Sequence, residues 1–160
     1  MNNKLPLIFA LSAAVLAGCK KKSTQIDSLK DAYAKHFFIG TALNSTQIRE
    51  EDSAAARLIP KQFSAITPEN IMKCEVIHPE WNRYDFDMAD KFVAYGQKKR
   101  MFIVGHTLIW HGQLAPFVRK ITTRDSLLSF MTDHINSVAG RYSGKVNSWD
   151  VVNEAIDRGD

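Results

Sequence analysis

Four short segments of this chain are apolar on both faces: Phe37–Leu43, Phe63–Thr67, Met101–Gly105 and Val146–Val152. A strand with one side in water alternates apolar and polar residues, so runs without that alternation must be covered above and below. Between them lie stretches with helical spacing. Ser28 caps a short helix to Lys35, and Ile48, Ala55, Leu58 and Ile59 mark the face of a second that Pro60 ends. Asp87 reads as the N-cap of a third, with Asp90 in its first turn and Met88, Phe92 and Tyr95 along one face. The last is capped by Thr123, runs through Leu127, Met131, Ile135, Val138 and Tyr142, and has Gly144 beyond its end. Apolar strands alternating with helices specify an α/β fold with a parallel sheet under helices. The pattern fits both the first half, about four β/α units, of a (β/α)8 TIM barrel and an open doubly wound sheet. No glycine-rich phosphate loop follows the first strand, which counts against a nucleotide-binding open sheet.

The first residues stand outside this pattern. Lys4 precedes an apolar run from Leu5 to Leu16, well short of the roughly 20 residues that span a bilayer, so residues 1–18 read as an export signal. Leu16-Ala17-Gly18-Cys19 resembles the cleavage site of bacterial lipoproteins, which implies that Cys19 becomes the lipidated first residue. An ordinary signal peptide with an incidental cysteine is the alternative. Lys20, Lys21 and Lys22 then form a basic clamp beside the membrane, and residues 19–25 form the anchor and tether. The expected location is exported and membrane-anchored, on the outer-membrane, periplasmic or cell-surface side of a bacterium.

Charge bears on partners. The formal net charge is +4, and Lys4, Lys20, Lys21 and Lys22 carry all of it. Residues 26–160 are therefore neutral overall and hold no basic tract, so no nucleic-acid partner is expected. With Cys19 assigned to lipid, Cys74 is expected to be a buried free thiol, and no intrachain disulfide is available.

Polar residues gather where the strands end. The first strand runs into Asn44, the second into Glu69 and Asn70, the third into His106 and the fourth into Asn153 and Glu154. The carboxyl ends of parallel strands are where barrels build their sites. On its own octapeptide, Glu154 reads equally as a strand-end catalytic carboxylate or as a surface glutamate opening a helix. Lys73 taken alone reads as a surface lysine, and Trp110 as a core residue. His106 and His111 lack a carboxylate or cysteine partner at ligand spacing, so no metal site is expected.

Three blocks narrow the choice. Phe63 to Lys73, then Gly105-His106-Thr107-Leu108-Ile109-Trp110-His111 with Gln113 and Pro116, then Trp149 to Ala155 closely resemble the glycoside hydrolase family 10 xylanases, in that family's order and spacing. The resemblance covers residues 26–160, the first half of the family's barrel. It implies a retaining endo-1,4-β-xylanase acting on xylan or xylo-oligosaccharides without a cofactor. Carried over by position, Glu154 resembles the general acid/base, and Asn153 the amide that holds the sugar 2-hydroxyl. Glu69, Asn70 and Lys73 match the cluster that binds xylose hydroxyls on the glycone side. His106 and Trp110 match residues bordering the cleaved sugar, and Gln113 a glutamine of the cleft. Glu75 and His78 acquire no role.

Departures from the family pattern are few. Asn82 stands where a glycine is usual, and Cys74 where a bulkier side chain is usual. In the family the nucleophile lies after the seventh strand. Glu50, Glu51, Glu75 and Glu80 fall on helices or the second connection, so the 160 residues are expected to lack the nucleophile and to be inactive and self-associating alone. Two alternatives remain: a noncatalytic glycan-binding lipoprotein, and a related barrel glycosidase acting on cellulose or mannan. The His106 to His111 block argues against the second.

Overall fold

The structure, a computed structural model, describes residues 26–156. The signal peptide, Cys19, the tether and residues 157–160 lie outside the described residues. The elements in order are α1 (Leu29–Tyr33), β1 (Gly40–Leu43), α2 (Ser45–Ile48), α3 (Ser53–Gln62), β2 (Ala65–Pro68), α4 (Cys74–Ile77), α5 (Asp87–Lys99), β3 (Phe102–Ile109), a 3-10 turn (Val118–Lys120), α6 (Arg124–Arg141) and β4 (Ser148–Val152). The strands form one parallel sheet in the order β1-β2-β3-β4, as an alternating β/α chain requires.

The core lies where the helices meet the sheet. Leu43, Ile66 and Ile103 from the strands pack with Phe92 and Val93 of α5, with Val138 of α6 and with Tyr142 at the end of α6. α5 lies close against the sheet because Gly96 has no side chain: a Cβ there would come within 2.6 Å of Ile103 Cδ1 and 2.9 Å of Ile66 Cδ1. The outer ends of α5 and α6 are joined by Asp90, which accepts from Arg141 and from the buried Tyr142 hydroxyl.

Several boundaries differ from expectation. β1 begins at Gly40 rather than Phe37, and Phe37 and Phe38 are 57% and 60% exposed. They stack on Tyr33 and Phe102, with ring centroids 4.9 and 4.7 Å apart, instead of joining the ladder. The single helix expected from Ile48 to Ile59 is two, because the chain offers two caps. Asn44 forms a capping box with Gln47 at α2, and Asp52 accepts from the Ala54 and Ala55 amides at α3, with Glu50 at a positive φ of 57° between them. Pro60 lies inside α3 near its end rather than terminating it. Asp87 is the first residue of α5, not its cap; Asp85 Oδ1 accepts the Asp87 amide.

The change that matters most for function is in β3. It runs to Ile109, four residues past Gly105, and contains a cis peptide between His106 and Thr107. His106 pairs with Asp150 and Ile109 with Val152, so three steps along β3 match two along β4. That mismatch is a β-bulge, a device found beside active sites where it re-aims side chains. β4, expected to be covered on both faces, is mostly exposed; among the described residues it forms one edge of the sheet and β1 the other.

Candidate active site

Parallel strands deliver their carboxyl ends to one side, and backbone bonds continue past those ends. The Glu69 amide donates to the Leu43 carbonyl at 2.9 Å, and the Asn153 amide donates to the Ile109 carbonyl at 2.9 Å. The first bond sets Glu69 beside the end of β1. The second places the Asn153-Glu154 pair next to Trp110, the residue following β3.

Trp110 is the centre of the cluster. Its Nε1–H donates to Glu154 Oε2 at 2.7 Å, at the short end of the range for N–H···O bonds. His111 Nε2 lies 3.7 Å from the same oxygen. The Lys73 ammonium stands 5.0 Å from the centre of the Trp110 ring, within cation–π range, and donates to Asn70 Oδ1 at 2.9 Å. Asn70, Lys73, Trp110 and Glu154, drawn from three connections, are thus linked in one chain of contacts. Glu154 has a φ of 51°, a left-handed conformation uncommon for a glutamate and characteristic of residues held for function.

Beside this cluster lies an open groove of about 1100 Å³. Trp110, Asn153 and Glu154 form its polar end, and Leu108, Phe130 and Met131 its apolar wall. Cys74, expected to be buried, is only partly so and borders the groove; burial pushes its thiol up from the ordinary value.

The other anticipated residues are placed differently. His106 is not past the end of the third strand but within β3, where its Nδ1 lies 2.8 Å from Asp150 Oδ2. The Thr107 hydroxyl donates to the Asp150 carbonyl at 2.8 Å, so the polar middle of β3 is satisfied from β4. Gln113, at a φ of 43°, donates from Nε2 to Glu75 Oε1 at 2.9 Å, and the Glu75 amide returns a bond to the Gln113 carbonyl. Glu75 and Asp150 are therefore supporting residues that the sequence did not single out. For Asp150 the available signal was an acid interrupting an apolar strand; for Glu75 there was none. No group of three or more His, Cys, Asp or Glu among the described residues is arranged to hold a metal.

Residues 28–160 match the family model described as Glycosyl hydrolase family 10. The chain belongs to that family. Among similar proteins, the family 10 chain is 44% identical over 135 residues to the Beta-1,4-xylanase of Dictyoglomus thermophilum, covering 84% of this chain and 37% of that one. It is 42% identical over 134 residues to Endo-1,4-beta-xylanase A of Xylanibacter ruminicola, covering 81% and 36%. The solved xylanase 10B of Thermotoga petrophila, in complex with xylobiose, superposes with a TM-score of 0.78 at 36% identity, covering 84% of this chain and 42% of that one. The chain thus spans less than half the length of the relatives it matches. Its parallel sheet corresponds to part of the family 10 barrel, which decides between the two architectures the sequence allowed.

Proposed function

We propose that residues 26–160 are the acid/base-bearing part of a retaining endo-1,4-β-xylanase. Glu154 is the general acid/base. In the first step its proton passes to the glycosidic oxygen as the C1–O bond breaks, while a second carboxylate bonds to C1. In the second step Glu154 removes a proton from the water that releases the sugar. That second carboxylate must lie about 5–5.5 Å from Glu154 in a retaining site, and none of the glutamates discussed above carries the sequence context of that role. Asn153 holds the 2-hydroxyl, and Glu69, Asn70 and Lys73 bind glycone hydroxyls. Trp110, His106 and Gln113 border the cleaved sugar.

The observation that carries this reading is the Trp110 to Glu154 hydrogen bond, continued through Lys73 to Asn70. It draws an oriented carboxylate, an amide, a cation and a flat ring together beside a groove, the mixture a pyranose requires. Membership of the family and the xylanase relatives support xylan as substrate.

The test is Glu154→Ala in the xylanase with its complete barrel. Hydrolysis of polymeric xylan should fall about 10²–10⁴-fold. Aryl xylosides with good leaving groups, which need no acid, should retain the first step, and azide should rescue turnover as a glycosyl azide. Unchanged xylan hydrolysis would refute the role of Glu154. Reducing-sugar release from cellulose or mannan in preference to xylan would refute the substrate, and glycan binding without any hydrolysis would favour a noncatalytic module.

A further inference from the structure

Trp81 is exposed for a different reason from the apolar residues at the ends of the sheet. Val151 and Val152 are open along β4, and Phe37 and Phe38 just before β1, the two strands that form the sheet edges among the described residues. Trp81 lies in the connection from β2 to α5, and β2 is an inner strand paired on both sides. Its 50% exposure therefore does not come from an edge. Of the chain's three tryptophans it is the most exposed.

The indole is held firmly where it stands. Trp81 and Asn82 form the tip of a tight turn, in which the Arg83 amide donates to the Glu80 carbonyl at 3.0 Å and the Arg83 guanidinium donates to Glu80 Oε1 at 2.8 Å. His78 Nε2 lies 3.1 Å from the Trp81 carbonyl, and His78 is itself buried and stacked on Tyr84. The indole meets the Phe117 ring at 79° with centroids 5.5 Å apart. A T-shaped contact occupies at most one face of the indole, and half the residue stays open to water. Turn tips are ordinarily small and polar, and this turn is closed by its own hydrogen bonds. A large flat ring is surplus to it.

The place suits a polymer. The connection that carries Trp81 leaves the carboxyl end of β2 through Glu69, Asn70 and Lys73, and Phe117 belongs to the connection that leaves β3 through Trp110 and Gln113. Both start on the side of the sheet where the candidate site lies. We propose that Trp81 is an auxiliary stacking site for a β-1,4-linked xylan chain, outside the cleft. Its free face packs against the C–H face of a xylopyranose, and the exposed amide of Asn82 beside it bonds the ring hydroxyls. Because the turn is already braced, little ordering is lost when sugar binds. The choice of xylan rests on the proposed function; the presence of a stacking surface does not.

The experiment uses the protein with its complete barrel, carrying Glu154→Ala so that the polymer is not consumed. Binding is measured by depletion onto insoluble xylan, with insoluble cellulose and mannan alongside, and by calorimetry with xylobiose, which is too short to reach beyond the cleft. Trp81→Ala should weaken binding to insoluble xylan about fivefold, the worth of one aromatic contact, and leave xylobiose binding as it was. Trp81→Tyr, which keeps a flat ring, should restore most of the loss. The proposal fails if Trp81→Ala binds the polymer as tightly as before, or if it weakens xylobiose binding by the same factor. It fails equally if Trp81→Tyr is no better than Trp81→Ala, since the indole would then serve packing alone. Retention on cellulose or mannan in place of xylan, still lost with Trp81→Ala, would uphold the stacking site and refute the substrate reading. Polymer consumed despite Glu154→Ala would refute the role of Glu154 and leave Trp81 to be decided by the binding.

Discussion

His78 and His134 meet Nδ1 to Nδ1 at 3.1 Å, both rings fully buried and with their planes within 4° of parallel. The tautomers follow from one contact. His78 Nε2 lies 3.1 Å from the Trp81 carbonyl, which can only accept, so His78 carries its proton on Nε2 and offers a bare Nδ1. The Nδ1–Nδ1 contact then needs its proton from His134. The pair ties the connection after β2 to the middle of α6, with Tyr84 stacked on His78 at 3.9 Å.

The pair predicts a pH dependence of stability. Burial first, and then the neighbouring His78, lower His134 to about 4, with Asp133 opposing; burial also lowers His78. Between about 6.5 and 4 the unfolded chain binds protons that the folded chain refuses, so stability falls as pH falls through that window. The His134 contribution to the loss amounts to about 3 kcal/mol once pH is below 4, and to nothing above 6.5. Urea unfolding at pH 7 and pH 5 should show this slope, and His134→Phe should flatten it. An equal slope in the variant would dismiss the pair as its source.

Exposed strand edges predict association. Val151 and Val152 on β4 are 54% and 52% exposed, and β1 has no partner strand on its outer side among the described residues. A polypeptide of residues 1–160 alone should show no measurable xylan hydrolysis and should run above monomer mass in light scattering. Val151→Lys, a charge on the edge, should shift it toward monomer. A monomeric, active 160-residue polypeptide would overturn both expectations.

Close contact at Gly96 predicts a packing penalty. Gly96→Ala should cost about 1–3 kcal/mol, because the added Cβ meets the branched side chains of Ile103 and Ile66 rather than a flexible tip. The midpoint of chemical denaturation measures this; an unchanged midpoint would mean that α5 can lift from the sheet freely.

Membrane attachment is predicted by Leu16 to Cys19 and the three lysines that follow. In a bacterium with the lipoprotein pathway, Cys19→Ser should abolish incorporation of labelled palmitate and move the protein from the membrane to the soluble fraction. Labelling that survives the substitution would place the lipid elsewhere.

The strand and helix order was legible because it depends on local periodicity, and so were the residues that gather at the strand ends. What misled was the assumption that polarity ends a strand. His106 and Thr107 look like a loop in sequence, yet β3 continues through them because Asp150 on β4 provides their partners. The reverse error occurred at Phe37 and Phe38, whose apolar character serves ring stacking beside the sheet. Glu75 was invisible because its role depends on Gln113, which lies far along the chain, and neighbours in sequence do not reveal that.

The bulge in β3 puts one extra residue between His106 and Ile109 relative to β4. Counting along the strand therefore decides which ring is presented to the carboxylate. Remove that extra residue and the side chain that follows Trp110, an imidazole, is drawn into its place against Glu154. Family 10 chains built on this strand should therefore tolerate exchange of residues through this stretch far better than the gain or loss of a single one, and the length of the segment should prove more constrained than its composition.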